Sequence, residues 1–445
     1  MIPYRLIQKK RDGAPLEPDE VRAFFRAFQS GALPDYQMAA FLMAVFWRGM
    51  GPAELAALVD TIMESGAVVR FPEDGASRVD KHSTGGVGDK VSLVLAPLVA
   101  SLGVQVPMMS GRGLGHTTGT VDKLESIPGF RTDLSLEAFT AQVQRIGCAL
   151  IGQTDRIAPL DGRLYALRDV TATIESVPLI ASSIMSKKLA EGIDGLVLDV
   201  KRGGGAFLQD LDSALLLART MIDIGTAHGR RVVVLVSAMD RPLGRAVGNA
   251  VEMAEAIETL QGGGPSDLRE LTLALAAEML LLGGAADGRD EAYGVAGAAL
   301  ADGRALDQMR LIIEAQGGDA AVLDDPALLP QPAVRRVVEA PAGGVIRGID
   351  ARALGEGVVA LGGGRVRLDS GLDLGVGFRL AVAPGEPVER GQPLGEVLAG
   401  TEADADRGVR MLTDAIRLGP DPGTPLLPLI SHRVTADGVE VLDAG

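Results

Sequence analysis

Apolar side chains recur at helical spacing through the first 66 residues of the chain. The spacing predicts helices over residues 17–28, 36–47 and 53–64. The second helix is apolar on nearly every side, because alanine and methionine fill the positions between its aromatic residues. Such a helix must be covered, so we expect it to lie under a neighbouring domain or a second subunit. A homodimer is the simplest arrangement.

From about residue 78 the pattern changes to short aliphatic runs that alternate with helices. The predicted strands are residues 79–81, 104–108, 195–201 and 231–236. The predicted helices are residues 89–102, 211–226 and 268–282. This alternation indicates an α/β layer with a largely parallel sheet. Because ligands of such sheets bind at the carboxyl ends of the strands, the following loops are the expected place for a site.

A proline-rich linker, marked by Pro330, Pro332 and Pro341, precedes the C-terminal region. Beyond it the chain is rich in glycine and valine, which predicts a small β-rich domain similar to the sandwich of biotinyl domains. We expect a scaffolding or dimer-stabilising role for it. The region has no lysine that could carry biotin or lipoate, so a swinging-arm function is excluded.

The composition narrows the classes of function. A chain of 445 residues is long enough for several domains, and its net charge of −15 argues against nucleic acid or an anionic membrane as a partner. One cysteine, Cys148, excludes an internal disulfide and fits the cytoplasm. Residues 1–13 lack the apolar segment of a signal peptide. Five of the eight lysines lie beside glycine- or serine-rich stretches, which favours a small bound anion: Lys81, Lys90, Lys187, Lys188 and Lys201.

The most informative segment is DKHSTGGVGDKVS, residues 80–92, which follows a predicted strand and opens a predicted helix. Its glycines let a ligand approach the backbone, and amides at a helix N-terminus favour an anion. Lys81, Ser83 and Ser92 add donors of the kind that phosphate needs. The spacing is neither that of a Walker loop nor that of a dinucleotide fingerprint. A tight structural turn is the alternative, which the density of lysines and hydroxyls disfavours.

A second segment, MMSGRGLGHTTGTVDKLE at residues 108–125, also follows a predicted strand. It carries Ser110 and Thr120 on a glycine-rich backbone. Alone it could be a flexible loop, but two such loops after neighbouring strands indicate one anion held between them.

A third segment, residues 165–188, is predicted to be helical and contains Arg168, Ser183 and Lys187. Ser183 and Lys187 are four residues apart and therefore share a helix face. Together with Arg168 they could address the carbonyl oxygens of a planar ring. A surface helix with solvated cations explains this segment equally well.

These segments resemble those of a known family, the thymidine phosphorylases and pyrimidine-nucleoside phosphorylases. The resemblance rests on KHSTGGVGDK, SGRGLGHTTGTVDKLESIPGF and LYALRDVTATIESVPLIASSIMSKK, and continues through DVKRGGGAF and RPLGRAVGNAVEMAEAI. It covers most of residues 1–290 in order, while the C-terminal third matches more loosely. One departure is Thr118, where the family has a small residue, usually glycine.

The resemblance implies a pentosyltransferase with an α/β fold: an all-α domain plus a mixed, largely parallel α/β domain, with a smaller β-rich C-terminal domain. The implied segments are 1–66 and 162–194 for the all-α domain, 67–161 and 195–335 for the α/β domain, and 336–445 for the C-terminal α+β domain. It also implies an active site between the first two domains and a homodimer formed through the all-α domain.

The resemblance further implies the role of each site residue. The implied phosphate ligands are Lys81, Ser83, Ser92, Ser110 and Thr120. The implied base ligands are Arg168, Ser183 and Lys187, with His82 near O2 of the base, and the implied apolar walls are Leu114, Tyr165, Ile180 and Phe207. His82 as general acid, with Arg168 and Lys187 as fixed cations, would neutralise the charge that develops on a departing pyrimidine. Asp161 would orient His82, and no cofactor is expected.

Two positions bear on variation within the family. Members that accept uridine well tend to carry lysine where this chain has Met108, which predicts a preference for 2′-deoxynucleosides; broad pyrimidine specificity is the alternative.

Some bacterial members hold a monovalent cation through the carboxylate at Glu255, a hydroxyl residue at position 90 and the carbonyls at Gly88, Leu243 and Ala246. Position 90 is lysine here. We therefore expect no metal, with Lys90 paired to Glu255 in the place of the cation.

Two other functions stay open from the sequence. A phosphoribosyltransferase of the same architecture would need a pyrophosphate site with Mg²⁺-binding carboxylates, whereas the segments found are those of nucleoside phosphorylases. A non-catalytic nucleoside or phosphate sensor would not need an acid, whereas His82, Arg168 and Lys187 are all present. The expected ligands are thus a pyrimidine nucleoside and inorganic phosphate.

Overall fold

The N-terminal region is helical, as the apolar spacing predicted. The computed structural model describes residues 2–113, 115–365 and 371–442. The first four helices are α1 (Pro3–Arg11), α2 (Pro18–Gln29), α3 (Asp35–Arg48) and α4 (Pro52–Met63). Proline in the first turn starts three of them, and the Glu20 carboxylate caps α2 by accepting from the backbone N–H of Glu17 at 2.9 Å. Helix α1 was not predicted.

Helix α3 is buried on one face only. Met38 and Phe41 face inward, and the ring of Phe41 lies 4.5 Å from that of Phe24. On the other face Tyr36 and Trp47 are each 75% exposed. A single chain therefore leaves open part of the apolar surface that the sequence predicted to be covered. Even so, no helix in the described ranges has the length and apolarity needed to cross a bilayer.

Alternating strands and helices follow the helical region. The order is β1 (Val79–Ser83), α5 (Val91–Ala100), β2 (Val106–Ser110), α6 (Thr120–Leu124), α7 (Leu136–Ile146) and β3 (Cys148–Gly152). Strand β3 was not predicted, because its five apolar and small residues show no period of their own. It pairs in parallel with β2 as a separate two-stranded sheet, with Met108 opposite Leu150.

Two helices, α8 (Pro159–Val170) and α9 (Val177–Ala190), return to the helical region. Helix α9 packs against α4, and Ile184 of α9 shares an apolar cluster with Leu55 of α4 and with Val234 of the following α/β layer. Helix α9 therefore belongs to the core of both layers.

The α/β layer then resumes. Its elements are β4 (Gly195–Arg202), α10 (Leu211–Ala227), β5 (Arg231–Ala238), β6 (Ala246–Gly248), α11 (Ala250–Leu260), α12 (Ser266–Gly283), α13 (Arg289–Ala301) and α14 (Arg304–Ala315). Strands β1, β4 and β5 form a parallel sheet, because helices connect successive strands. The predicted α/β layer is confirmed.

Two short 3₁₀ turns, Ala320–Leu323 and Pro326–Leu328, lead into the C-terminal region. Its elements are β7 (Val334–Glu339), β8 (Gly344–Ile349), α15 (Ala351–Ala360), β9 (Gly377–Leu380), β10 (Pro387–Val388), β11 (Pro393–Ala399), α16 (Glu402–Ala415), β12 (Ile416–Gly419), β13 (Ile430–Thr435) and β14 (Gly438–Val441). Strands β7 to β12, together with β6, form two small antiparallel sheets.

The last two strands do not join these small sheets. Strand β13 pairs antiparallel with β5, with Val434 opposite Val234, and β14 pairs with β13. They cover the edge of the main sheet that β5 would otherwise expose. The sequence placed residues 336–445 in a separate domain, but this end of the chain completes the α/β layer.

Candidate active site at the strand ends

Three loops meet at the carboxyl edge of the strands. Strands β1 and β4 lie side by side, with Ser83 opposite Asp199, and a bridge between Arg78 and Gln105 brings β2 next to β1. The described residues of the loops that follow these strands therefore lie together: residues 84–90, 111–113 with 115–119, and 203–210.

Glycines shape the loop after β1. Gly85 and Gly88 have φ angles of +93° and +72°, a region that residues with side chains seldom enter. A Cβ atom on Gly88 would lie 2.5 Å from the carbonyl oxygen of Leu243. The loop therefore needs glycine at residue 88 both for its dihedral angle and for its close approach to the segment around residue 243.

The hydroxyls of three predicted phosphate ligands differ in whether they already donate a hydrogen bond. Ser83 Oγ donates to Asp89 Oδ2 at 2.6 Å. The hydroxyls of Ser110 and Thr120 are half-buried and have no hydrogen-bond partner among the described residues. Those two are free to donate to an anion, whereas Ser83 must first turn away from Asp89.

Three lysine side chains are buried beside these loops: Lys81, Lys123 and Lys201. Lys81 Nζ donates to Oγ of the predicted ligand Ser92 at 3.4 Å. Lys123 Nζ donates to the carbonyl oxygen of residue 89 at 2.6 Å. The sequence counted Lys201 among the lysines that favour a bound anion, but it assigned no role to Lys123. The position of Lys123 beside a glycine-rich loop, in a chain with few lysines, was the available signal.

Lys81 is the least compensated of the three ammonium groups. Its closest carboxylate oxygen, on Asp199, lies 3.9 Å away, whereas Lys201 has the same oxygen at 2.6 Å and Lys123 has Glu252 at 2.7 Å. Burial lowers the pKa of Lys81, while for Lys201 the carboxylates of Asp199 and Asp89 outweigh burial and raise the pKa. An anion near Lys81 would supply the missing negative charge.

On the helical side, two predicted base ligands converge on one carboxylate. Lys187 Nζ donates to Asp161 Oδ2 and, at 2.9 Å, to Ser183 Oγ. Ser183 Oγ in turn donates to Asp161 Oδ2 at 3.0 Å. The expectation that Asp161 orients His82 is wrong: no hydrogen bond joins them in the part of the chain that the structure describes. The Asp161 carboxylate on α8 faces Lys187 in the last turn of α9, and it orients the ammonium of Lys187 instead.

The third predicted base ligand, Arg168, is buried and held by backbone carbonyls. Its Nη1 and Nη2 donate to Leu179 O at 2.9 Å and to Ile174 O at 2.8 Å, and its Nε donates to Thr173 O at 3.3 Å. Three of its five N–H bonds are thus used, which leaves two for a ligand. The guanidinium lies 5.5 Å from the centre of the Tyr165 ring.

The predicted apolar walls lie on both sides of the site. Tyr165 and Ile180 are half-buried on α8 and α9, and burial raises the pKa of Tyr165 to about 12. Phe207 Cε2 lies 3.4 Å from the position that a Cβ on Gly85 would occupy, so its ring covers the first glycine loop. Leu114 lies outside the described residues.

His82 is the last residue but one of strand β1 and lies between the lysines of both sides. Burial and the positive charges of Lys188, Lys187 and Lys81 lower the pKa of His82 well below its usual value. The imidazole is therefore neutral near pH 7, where it donates one N–H and accepts at its other nitrogen.

Lys188 joins the two sides. It is buried on α9, beside the base ligand Lys187. Its Nζ donates to Asp80 Oδ2 of β1 at 2.6 Å, to Met109 O of β2 at 2.7 Å and to Glu191 Oε1 at 2.9 Å. One ammonium thus fixes the helix that carries the base ligands against the two strands that carry phosphate ligands.

Lys90 lies behind the first glycine loop and is buried. Its Nζ donates to Leu243 O at 2.8 Å, to Ala246 O at 3.0 Å and to Glu255 Oε2 at 2.5 Å. Burial opposes the charge, but Glu255 and Glu252 outweigh it and raise the pKa of Lys90. The ammonium is therefore charged and surrounded by three oxygens.

Comparison with protein families finds matches to three parts of the chain. Residues 4–66 match the helical bundle domain of a glycosyl transferase family, and residues 75–306 match its a/b domain. Residues 345–419 match the pyrimidine nucleoside phosphorylase C-terminal domain. A solved structure of anthranilate phosphoribosyltransferase from Thermus thermophilus shares the fold, with a TM-score of 0.57 and 19% identity over 70% of this chain and 98% of that chain.

Curated relatives are similar over nearly the whole chain. The pyrimidine-nucleoside phosphorylase of Geobacillus stearothermophilus is 46% identical, covering 94% of this chain and 96% of the relative. The thymidine phosphorylase of Burkholderia cenocepacia is also 46% identical, covering 94% and 95%. The thymidine phosphorylase of Agrobacterium fabrum is 43% identical, covering 98% and 100%. The chain therefore belongs to the glycosyl transferase family that includes the pyrimidine-nucleoside and thymidine phosphorylases.

Proposed function

We propose that this protein catalyses the phosphorolysis of pyrimidine nucleosides, in which thymidine and inorganic phosphate give thymine and 2-deoxy-α-D-ribose 1-phosphate. The observation that carries the proposal is the presence of two unlike half-sites around His82. One offers free hydroxyls and the under-compensated ammonium of Lys81, which suit phosphate. The other offers Arg168 and Lys187 beside half-buried apolar side chains, which suit a planar base with carbonyl oxygens.

The base half-site matches the groups of a pyrimidine. The ring presents two carbonyl oxygens and one N3–H. Arg168 has two N–H bonds left for the oxygens, and Lys187 adds a second cation. Ser183 Oγ donates to Asp161, so its remaining lone pair can accept from N3–H.

The mechanism follows from these charges. When the C1′–N1 bond breaks, its electron pair goes to the base, and negative charge spreads to the carbonyl oxygens. Arg168 and Lys187 are fixed cations that stabilise this charge, and neutral His82 adds an N–H hydrogen bond. A phosphate oxygen held by Lys81, Ser110 and Thr120 forms the new bond to C1′. The base anion then takes a proton from water or phosphate.

The proposal requires no cofactor, because the chain supplies every group in these steps.

We also propose a homodimer in the cytoplasm, formed through the helical region. Support for the dimer comes from the exposed face of α3, where Tyr36 and Trp47 are each 75% exposed. Sedimentation should give twice the chain mass of 46.2 kDa, and Trp47→Glu should shift the protein towards the monomer.

The test of the activity is direct. The protein is incubated with thymidine and phosphate, and thymine and the sugar 1-phosphate are measured by chromatography. Both products should form in equal amounts, and neither should form without phosphate. Thymine release at the same rate in phosphate-free buffer would identify a hydrolase, and no release in either buffer would favour the sensor.

A preference for thymidine over uridine is the finer proposal. Met108 is fully buried on β2, two residues before Ser110, and its thioether offers no N–H or O–H to a 2′-hydroxyl. A polar group left without a partner costs about 1–3 kcal/mol, which corresponds to about a tenfold or larger preference. The kcat/KM for thymidine should exceed that for uridine accordingly. Equal values would make the broad pyrimidine-nucleoside phosphorylase the better description.

Lys90 carries a separate proposal, that its ammonium replaces a monovalent cation. The three oxygens around its Nζ, from Leu243, Ala246 and Glu255, are ligands of the kind that potassium takes. Two unit positive charges about 4 Å apart repel by roughly 4 kcal/mol at an effective dielectric constant of about 20, so a cation and the ammonium exclude each other. The ammonium would pin the glycine loop to the segment around residue 243.

This proposal is tested by exchanging the salt. Activity of the unmodified protein should be the same in potassium and in tetramethylammonium, whereas Lys90→Thr should be active only in potassium. Lys90→Met, which removes the charge without adding a hydroxyl, should lose thermal stability in both salts. Strict potassium dependence of the unmodified protein would contradict the proposal.

A further inference from the structure

One helix of the C-terminal region, α15, touches all three loops of the site. A Cβ atom on Gly355 of α15 would lie 2.0 Å from His116 O and 3.0 Å from Val87 Cγ2. The Cβ of Ala351 lies 2.7 Å from the position that a Cβ on Gly205 would occupy. Close approach of this kind needs small residues on the helix and in the loop. The three loops of the site therefore rest on a surface that the main sheet does not provide.

Arg352 of α15 binds the third loop directly. Its Nε donates to Gly204 O at 3.2 Å, and its Nη2 donates to Ala206 O at 3.1 Å. The carbonyl between these two, Gly205 O, accepts from His116 Nε2 at 2.8 Å. Three successive carbonyls are thus held by cationic or ring N–H donors from two other segments, which fixes the backbone immediately before the apolar wall Phe207.

Phe207 depends on this arrangement. Its ring centre lies 5.5 Å from that of His116, and it covers Gly85 of the first loop. The His116 imidazole therefore needs Gly205 O in place to stay beside the ring. If the carbonyls of residues 204 and 206 were released, the rings of Phe207 and His116 would both lose their fixed position.

Arg365, which follows the glycine turn after α15, acts on the second loop. Its Nη1 donates to Asp122 Oδ1 at 2.7 Å. The other oxygen, Asp122 Oδ2, accepts the backbone N–H of Gly113 at 2.6 Å, and Arg112 Nη1 lies 3.2 Å from Oδ1. Asp122 is buried on α6, which begins at the phosphate ligand Thr120. Arg365 therefore orients a carboxylate that ties this helix to the loop after Ser110.

We infer that Arg352 and Arg365 are positioning residues that couple the C-terminal region to the two half-sites separately. Arg352 fixes Phe207 and so acts on nucleoside binding, whereas Arg365 fixes Asp122 and so acts on phosphate binding. The inference rests on the proposed phosphorolysis. It replaces the expected scaffolding role of this region with a specific one, in which each arginine acts on one substrate.

The test compares Arg352→Met and Arg365→Met with a matched control, Arg336→Met. Arg336 lies on β7, and among the described residues its side chain pairs only with exposed Glu402 and Asp406, so its loss should change neither Michaelis constant. Arg352→Met should raise KM for thymidine about tenfold and leave KM for phosphate within about twofold, because two hydrogen bonds from a charged donor are lost. Arg365→Met should raise KM for phosphate about tenfold and leave KM for thymidine within about twofold. Arg352→Lys should recover part of the loss.

Hydrogen exchange gives a readout that does not depend on turnover. Backbone amides of residues 204–207 should exchange faster in Arg352→Met, and those of residues 111–113 in Arg365→Met. Equal changes of both Michaelis constants in both variants, or unchanged exchange in these loops, would overturn the inference. If the unmodified protein released no thymine, the proposed function would fail instead, whereas the exchange result would still decide whether the arginines hold the loops.

Discussion

The two half-sites are built in different ways. The phosphate side consists of loops whose glycines set the backbone, and its donors are many: hydroxyls, amides and the Lys81 ammonium, with buried lysines behind them. The base side consists of a few long side chains on α8 and α9. Each is oriented by oxygens of these helices or of the turn between them: Lys187 by Asp161, and Arg168 by the carbonyls of Thr173, Ile174 and Leu179.

This difference predicts unequal sensitivity to substitution. A ligand held by many weak donors loses only part of its affinity when one donor is removed, because the others remain. A transition state whose charge falls on two cations loses a large part of its stabilisation when one of them is removed. Single substitutions on the base side should therefore reduce turnover strongly, and those on the phosphate side should mainly weaken phosphate binding.

The largest effect is expected for Lys187→Met. It removes one of two cations that meet the departing base, so kcat/KM for thymidine should fall about 10³-fold. Asp161→Asn keeps the shape but loses the carboxylate that orients the ammonium, and it should cost less, about tenfold. Lys9→Met is the control, since Lys9 pairs with Glu20 in the same helical region. A smaller loss for Lys187→Met than for Asp161→Asn would contradict the account of the base side.

A moderate effect is expected for Ser110→Ala on the phosphate side. One hydroxyl donor to a charged ligand is lost, so KM for phosphate should rise about tenfold while KM for thymidine changes less. Ser30→Ala, which removes an exposed hydroxyl that donates to Ala27 O, serves as the control. Initial rates measured over a grid of both substrates give the two constants. A fall in kcat with an unchanged KM for phosphate would place Ser110 outside the phosphate site.

The smallest effect concerns the pH dependence contributed by His82. Because its pKa is lowered, the imidazole gains a proton only well below its usual value of 6.5. Raising the pH from about 6 to 8 therefore removes no proton from His82, and kcat/KM should show no loss from this group. The profiles of the unmodified protein and His82→Asn should be parallel over this range. Activity that falls with a midpoint near 6.5 and loses this limb in His82→Asn would show an imidazolium acid instead.

The same difference between the half-sites explains which features could be predicted from the sequence. The glycine loops and their hydroxyls are local features, and the strands before them have clear aliphatic runs, so both could be found from the pattern alone. The shared helix face of Ser183 and Lys187 follows from their spacing, and the structure has both side chains bonded to each other. Observed bounds of the main strands and helices are close to the predicted ones for the same reason.

Long-range partners could not be predicted. Asp161 was paired with His82, because a sequence does not show that α8 turns its carboxylate towards α9. Lys188 contacts Asp80 and Met109, residues far apart along the chain. The pairing of β13 with β5 joins segments about two hundred residues apart, and no local pattern specifies it.

Isotope labelling distinguishes attack of a phosphate oxygen on C1′ from attack of water. The protein is incubated with thymidine and phosphate labelled with ¹⁸O at all four oxygens, and the products are analysed by mass spectrometry. The deoxyribose 1-phosphate should retain all four labelled oxygens, because the bond broken is C1′–N1 and the bridging oxygen comes from phosphate. Unlabelled free deoxyribose beside thymine would mean that water, and not phosphate, attacks C1′, and the protein would be a hydrolase.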